Sequence, residues 1–130
     1  VNDMVHRAVT DGFVVLYESH FRRNYVHVRD VVALFLWGLT GTAKHRVYNF
    51  GLSDANLTKR QLCEEIRKQV PWFQILESQV LERDRDRRDY IVDNSRIEAE
   101  WMRAEIPLSE GIRELIQACE MLKGRPHANV

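Results

Sequence analysis

The sequence predicts a small mixed α/β domain, built from short strands and about five helices. Apolar residues recur at helical spacing in several segments of this 130-residue chain, and short runs rich in β-branched and aromatic residues lie between those segments. Glycine or proline stands near most of the junctions, as expected where elements end. Because the β-rich runs are few and short, we do not expect a free-standing doubly wound sheet.

The N-terminal segment predicts a helix followed by a strand. Apolar residues recur at helical spacing over residues 1–9, and Asp11 with Gly12 then ends the pattern, as a left-handed residue does after a helix. Residues 13–17 follow as an unbroken run of strand-forming residues. We therefore expect the chain to turn at Gly12 and to continue as a strand.

The next part of the chain predicts two strands that flank an apolar helix. Residues 25–28 predict a short strand, after which Asp30 is placed to cap a helix over residues 31–39. This helix is apolar nearly all round, so it needs cover on most sides, as a helix packed against a sheet inside a larger protein has. Residues 46–50 predict a further strand, which Gly51 ends.

A capping-box pattern marks the start of the next helix. Thr58 and Gln61 have the spacing of that motif, and an apolar stripe follows them until Pro71 stops the helix. Residues 74–77 predict another short strand.

The C-terminal third predicts two more helices. Residues 89–92 are extended, and Asn94 or Ser95 opens a short helix. Pro107 breaks the chain again, and Ser109 starts a last helix. The apolar face of that helix holds Ile112, Leu115, Ile116, Cys119 and Leu122.

Charge and hydropathy exclude two classes of protein. Nineteen lysines and arginines balance nineteen aspartates and glutamates, whereas a dedicated nucleic-acid binder is expected to be strongly basic. The longest apolar run, residues 31–37, is well short of the roughly 20 residues that a bilayer-spanning helix needs. We therefore expect neither a nucleic-acid partner nor a membrane partner.

The spacing of histidine and cysteine predicts neither a metal site nor a disulfide. The five histidines show no mutual spacing that resembles a metal site. Cys63 and Cys119 each lie among helical apolar positions, a pattern typical of core thiols in a reducing compartment. A cytoplasmic protein without a bound metal is expected.

Three blocks of polar and charged residues occur in order along the chain. The first is Arg-Asn-Tyr-Val-His-Val-Arg-Asp at residues 23–30, and the second is Tyr-Asn-Phe-Gly at residues 48–51. Alternating charge, as around the third block, is typical of a solvated loop, but a planar guanidinium also binds phosphate oxygens through two parallel N–H bonds. The third block contains Arg83, Asp86, Asp93, Ser95 and Arg96.

These blocks resemble the C-terminal, substrate-side portion of extended short-chain dehydrogenase/reductases, the NAD-dependent sugar-nucleotide epimerase and dehydratase group. That group carries segments similar to Arg-Asp-Tyr-Ile-His-Val-x-Asp, then Tyr-Asn-x-Gly, then Arg-x-x-Asp followed by Asp-x-Ser-Lys. This chain departs mainly at Asn24 and Arg96. The resemblance implies a C-terminal fragment of a Rossmann-type enzyme, with a substrate-binding portion over residues 1–123. Residues 124–130 show no periodicity, and we expect them to be a disordered tail.

The resemblance also implies roles for four residues. Arg23 and Arg83 would hold the nucleoside diphosphate of a sugar-nucleotide substrate, with Tyr25 beside the nucleotide, and Asp86 would hydrogen-bond the ribose or orient an arginine. Other interpretations of the same residues stay open. Arg23 would also suit the flank of a turn, Tyr25 a core-edge position and Arg83 a solvated loop. We interpret His27 as a hydrogen-bonded structural histidine.

Two motifs of that group are missing from this sequence. No Gly-x-x-Gly-x-x-Gly turn follows a strand, and no Tyr-x-x-x-Lys pair is present. We therefore expect the NAD(P) site and the catalytic pair to lie in an N-terminal half upstream of this sequence. On this hypothesis no residue here is catalytic or cofactor-binding, and the chain alone does not turn over substrate.

Two alternatives to the enzyme hypothesis remain open. The chain would also suit a non-catalytic ligand-binding or self-associating module, because the apolar helix over residues 31–39 needs a partner outside a larger protein. A minor alternative is a split enzyme whose cofactor half is a separate polypeptide. A homo-oligomer, such as a dimer, is the expected assembly.

Overall fold

The chain folds into the mixed α/β architecture that the sequence predicts. A computed structural model describes residues 1–78 and 88–122, and these form five helices and four short strands. The tail predicted at residues 124–130 lies outside the described residues. The elements are α1 (Asn2–Thr10), β1 (Phe13–Leu16), β2 (Arg22–Asn24), α2 (Val28–Leu39), β3 (Asn56–Thr58), α3 (Lys59–Arg67), β4 (Gln74–Glu77), α4 (Ser95–Glu98) and α5 (Leu108–Met121).

The four strands form two separate two-stranded sheets. β1 and β4 pair in parallel, from Phe13 opposite Gln74 to Leu16 opposite Glu77. β2 and β3 pair antiparallel, and Arg23 lies opposite Leu57. The second sheet contains the start of the first sequence block, because Arg23 and Asn24 lie in β2.

The hydrophobic core lies between one face of the β1–β4 sheet and the helices α1, α3 and α5. Val14 and Leu16 point into this core, while Phe13 and Val15 lie on the exposed face, as the alternation of a strand requires. Helices α1 and α5 pack against each other along their apolar faces. The buried core residues are Val5, Ala8, Val14, Leu16, Leu62, Cys63, Ile66, Val70, Phe73 and Ile112.

Local signals predicted two helix ends correctly. Gly12 adopts φ 77° and donates its N–H to the carbonyl of Arg7, which ends α1. At the start of α3, Thr58 Oγ1 accepts from the Gln61 amide at 3.1 Å, and Gln61 Oε1 accepts from the Thr58 amide at 2.9 Å. The predicted capping box is therefore confirmed.

The start of α2 differs from the prediction. The helix begins at Val28 rather than at residue 31, and its cap is His27, whose Nδ1 accepts from the Arg29 amide at 3.1 Å. Asp30 is buried in the first turn, where its carboxylate accepts from the amides of Glu105 and Ile106 at 3.2 and 3.1 Å. Asp30 therefore fastens α2 to the segment before α5, and the predicted strand at residues 25–28 is wrong because the helix occupies its end.

Two further strand predictions need correction. Residues 46–50 form no strand, none of the described strands pairs with them, and the Tyr48 hydroxyl bonds to Glu100 instead. Strand β3 has no clear signal in the sequence, but it forms because β2 supplies its partner. The last helix starts at Leu108 after Pro107, one residue before the predicted Ser109.

Helix α2 presents an apolar stripe to solvent. Its large side chains at one face are exposed, with Phe35 at 70% and Leu39 at 83% of their full accessibility. The stripe consists of Val28, Val32, Phe35, Leu36 and Leu39. Across residues 1–78 and 88–122, every helix falls short of the length and apolar character needed to cross a bilayer.

Candidate functional site

The third sequence block contacts strand β2 near the point where the described residues resume, at residue 88. Arg22 Nε and Nη2 donate to the two carboxylate oxygens of Asp89 at 3.1 and 3.2 Å, and the Arg22 amide donates to Asp89 Oδ1 at 2.9 Å. These bonds lower the pKa of Asp89 to about 2, because the Arg22 side chain and amide both stabilise the carboxylate. The first and third blocks are therefore neighbours.

Arg23 stands over an aromatic ring from the third block. Its guanidinium carbon lies 5.3 Å from the centre of the Tyr90 ring, within the range of a cation–π contact. One guanidinium nitrogen also donates to the Arg22 carbonyl at 2.8 Å. The planar cation is thus held in place by these neighbours.

Tyr25 lies close to the same cation. Burial against the core raises the pKa of the Tyr25 hydroxyl to about 12, and the positive charge of Arg23 opposes part of that rise. Arg23 and Tyr25 are two residues apart, so they lie on the same side of the extended segment. Arg23, Tyr25 and Tyr90 therefore form one cluster of a guanidinium and two phenols.

Asn24 points to the opposite side and holds the loop that contains the second block. Its Nδ2 donates to the Leu52 carbonyl at 2.8 Å, and its Oδ1 accepts from the Leu52 amide at 3.1 Å. This side chain lies so close to Gly51 that a Cβ there would fall 2.0 Å from Asn24 Oδ1. Gly51 of the second block therefore has to be a glycine, because the Asn24 side chain of the first block occupies the space that a Cβ would need.

Two more asparagines join the third block to this loop. Asn56 Oδ1 accepts from the Val92 amide at 2.9 Å, and Asn56 Nδ2 donates to the Val92 carbonyl at 3.1 Å. Asn94 is buried, and its Nδ2 donates to the Gly51 carbonyl and to Ser53 Oγ, each at 3.0 Å. The three sequence blocks therefore converge around one loop.

The remaining polar residues of the first two blocks are held in structural bonds. His27 Nε2 lies 3.1 Å from Glu114, which also contacts Arg29, so His27 is hydrogen-bonded as expected. The Tyr48 hydroxyl lies 2.9 and 3.0 Å from the two carboxylate oxygens of Glu100. Both side chains are therefore bonded to carboxylates from distant parts of the chain.

A cavity of about 600 Å³ opens beside Tyr25. It is bounded mainly by apolar side chains of α2, of α5 and of the segment before α5, and Asn2, His27 and Glu114 supply polar groups at its edge. This volume lies within the range of roughly 300–1,000 Å³ that small-molecule sites occupy. Among the described residues, no group of three or more histidine, cysteine or acidic side chains is placed to hold a metal ion.

Two of the four predicted site residues can be placed. Arg23 and Tyr25 lie together, but Arg83 and Asp86 fall in 79–87, outside the described residues. The sequence reasoning missed Tyr90, which directly follows the arginine-rich run and contacts Arg23. A tyrosine after a charged run carries no sequence signal of its own, because the bonds that bring it to β2, such as those of Asp89 with Arg22 and of Val92 with Asn56, join residues far apart in the chain.

Solved enzyme structures share this fold. L-threonine dehydrogenase from Phytophthora infestans has a TM-score of 0.76, covering 92% of this chain and 40% of its own, at 13% identity. A GalE-like L-threonine dehydrogenase from Cupriavidus necator has a TM-score of 0.72, covering 89% of this chain and 44% of its own, at 23% identity. The NAD-dependent NDP-hexosamine 5,6-dehydratase TunA, involved in tunicamycin biosynthesis, has a TM-score of 0.69, covering 88% and 37%, at 19% identity.

These comparisons concern the fold and only part of each enzyme. The chain spans about two fifths of the length of each of the three enzymes. No protein-family model matches the sequence. The chain therefore shares the fold of the corresponding part of these three dehydrogenase and dehydratase enzymes.

Proposed function

We propose that this chain is the substrate-side part of an NAD(P)-dependent nucleoside-diphosphate-sugar epimerase or dehydratase. It binds the diphosphate of the substrate, while hydride transfer takes place at a cofactor held by an N-terminal half. The observation that carries the proposal is the cluster of Arg23, Tyr25 and Tyr90, beside which the third block is attached to β2. We propose a cytoplasmic enzyme, in keeping with its two free cysteines.

The chemistry of the cluster suits a diphosphate. A guanidinium binds two phosphate oxygens at once, and each hydrogen bond to a charged group contributes on the order of 1.5–3 kcal/mol. Stacking on Tyr90 restricts the rotamers of Arg23, so less conformational freedom is lost when a ligand binds. Arg83 and Asp86 belong to the same site on this proposal, although both fall in 79–87, outside the described residues.

The cavity beside Tyr25 supports a nucleotide ligand. Its volume of about 600 Å³ is sufficient for a nucleoside, and Tyr25 forms part of its wall. On this proposal the base or ribose contacts Tyr25, and the diphosphate extends toward Arg23. The apolar walls would contribute burial of the nucleoside, and the arginines would contribute charge.

The residues present do not fit a dinucleotide cofactor. A dinucleotide pyrophosphate needs a glycine-rich turn between a strand and a helix, and no Gly-x-x-Gly-x-x-Gly occurs in the sequence. Strand β3 runs directly into α3, and the segment between β2 and α2 contains no glycine. We therefore derive no step through NAD(P) for this chain, and its own contribution is to bind and orient the substrate.

The exposed apolar stripe of α2 supports the proposal that another part of the enzyme packs against this chain. Five large apolar side chains on one helix face form a surface that soluble monomers rarely leave open. We propose that the N-terminal half of the enzyme covers this stripe. In the isolated chain the same stripe favours self-association, so the hypothesis of a self-associating module predicts an oligomer that light scattering after size exclusion would detect.

A second candidate function follows from the solved neighbours. Two of the enzymes with this fold are L-threonine dehydrogenases. Because L-threonine has no diphosphate, Arg23 would bind phosphate oxygens only under the first candidate function.

Calorimetric titration tests the two candidates. The chain, and the full-length protein, are titrated with UDP, GDP, dTDP, CDP and L-threonine. We expect one nucleoside diphosphate to bind most tightly. Binding of threonine without binding of any nucleotide would replace the first candidate by the second.

A further inference from the structure

We propose that Asn24, Asn56 and Asn94 act together as an amide clamp that positions Arg23 against the third block. The clamp is defined by these three side chains and by the backbone groups they bind. This inference rests on the proposed function, because it assigns the clamp to the geometry of the nucleoside-diphosphate site. The three asparagines do not touch the ligand on this proposal, so they are positioning residues.

The first step of the clamp needs an amide rather than a carboxylate. Asn24 both donates to the Leu52 carbonyl and accepts from the Leu52 amide, at 2.8 and 3.1 Å. The enzyme group that the sequence resembles carries aspartate here, and an aspartate could accept from the amide but not donate to the carbonyl. Asn24 therefore gives this chain one donor that the usual residue lacks.

Asn24 also forms a side-chain hydrogen bond to the neighbouring strand β3. Asn24 Nδ2 donates to Asn56 Oδ1 at 3.1 Å, across the β2–β3 pair in which the two residues are opposite. Asn56 then binds both the amide and the carbonyl of Val92, at 2.9 and 3.1 Å. Its side chain thus makes the two bonds that a paired strand residue would make.

The position of Val92 determines where the third block meets the arginines. Val92 lies two residues after Tyr90, whose ring stands under Arg23, and three residues after Asp89, which binds Arg22. A second attachment follows at Asn94, which is only 4% exposed and donates to Gly51 and Ser53. Holding residues 92 and 94 therefore holds the Tyr90 ring beside Arg23.

The variant Asn56→Asp tests the clamp in the complete chain. The aspartate keeps an acceptor for the Val92 amide but places an oxygen against the Val92 carbonyl, so one bond is replaced by repulsion. We expect the Kd for the preferred nucleoside diphosphate to rise about tenfold, measured by calorimetry with UDP, GDP, dTDP and CDP. We also expect faster hydrogen exchange at the Val92 amide.

Thr58→Ala is the matched control. It removes the capping box of α3 at the end of the same strand β3, so it lowers stability without touching any clamp bond. We expect its nucleotide affinity and its Val92 exchange, both measured below the unfolding transition, to match the unsubstituted chain. An equal loss of affinity in Thr58→Ala and Asn56→Asp would mean that general stability governs binding, and it would overturn the clamp.

The possible failures are distinguishable. Absence of nucleotide binding by the unsubstituted chain and by the full-length protein overturns the proposed function and the role of the clamp in it. Tight binding by the unsubstituted chain with unchanged affinity in Asn56→Asp overturns the clamp alone, and so does unchanged exchange at Val92. Asn56→Ser, which is smaller and uncharged, undergoes the same two measurements if Asn56→Asp does not fold, and the same results decide.

Discussion

Arg22 binds Asp89 through two parallel N–H···O bonds across 67 residues of chain. The Arg22 amide adds a third bond to the same carboxylate. This pairing explains why Arg22 and Arg23 have different environments although they are adjacent: the first cation meets a carboxylate, and the second lies over the Tyr90 ring. Because Arg22 directly precedes the first sequence block, this pair and the Arg23–Tyr90 contact together bring the first and third blocks side by side.

The Arg22–Asp89 pair predicts a pH dependence on the acid side. Because the folded pKa of Asp89 is depressed to about 2, its stabilisation is fully present above the unfolded pKa, near about 4, and is lost as pH falls toward 2. Urea unfolding measured across this range should show a difference between the unsubstituted chain and Asp89→Asn that shrinks as pH falls. A difference that stays constant from neutral pH to pH 2 would contradict the assignment.

Arg23→Ala should weaken binding of the preferred nucleoside diphosphate by about tenfold or more, because it removes a two-point phosphate contact. Arg23→Lys should recover only part of the affinity, since a lysine lacks the planar fork and stacks less well on Tyr90. Calorimetry at constant ionic strength gives the affinities. Arg83→Ala should have a similar effect.

Arg7→Ala is the control for these arginine substitutions. It removes the same charge from the exposed face of α1, where Arg7 pairs with Asp3 far from the cluster in sequence. Its affinity should equal that of the unsubstituted chain. Unchanged affinity in both Arg23→Ala and Arg83→Ala would remove the proposed diphosphate site.

Elements with local causes were predictable from the sequence. The capping box of Thr58 and the turn at Gly12 depend on bonds between near neighbours in the chain, so a short window contains the whole signal. The strand at residues 25–28 was predicted from strand propensity alone. The actual strand, Arg22–Asn24, is set by its pairing with a distant segment, which propensity does not contain.

The candidate site was predictable to the extent that it follows a known sequence pattern. Arg23 and Tyr25 belong to such a pattern, whereas Tyr90 and Asn56 do not. Asn56 gains its role only when β3 pairs with β2 and Val92 arrives beside it. Residues 46–50 have strand propensity, but a strand also needs a neighbour for its backbone groups, and none of the described strands provides one.

Tyr25 predicts a pH dependence on the alkaline side. Burial raises its folded pKa to about 12, above the unfolded value of about 10, so the folded state retains a proton that the unfolded state loses. Stability should therefore fall as pH rises from 10 to 12. Ultraviolet titration of the phenolates should show a late step that is absent in Tyr25→Phe, and its persistence in that variant would contradict the assignment.

Gly51→Ala and Gly38→Ala form a matched pair of glycine substitutions with opposite expected signs. At Gly51 the new Cβ would fall 2.0 Å from Asn24 Oδ1, so the Asn24 side chain must leave Leu52, and overpacking of this kind costs about 1–3 kcal/mol. At Gly38, inside α2, a Cβ meets nothing within 4 Å, so alanine should stabilise the helix by about 0.5–1 kcal/mol. Urea unfolding measures both changes in the free energy of unfolding. Because the two variants add the same single carbon, a loss confined to Gly51→Ala locates the cost at the contact with Asn24, and equal effects in both would place it elsewhere.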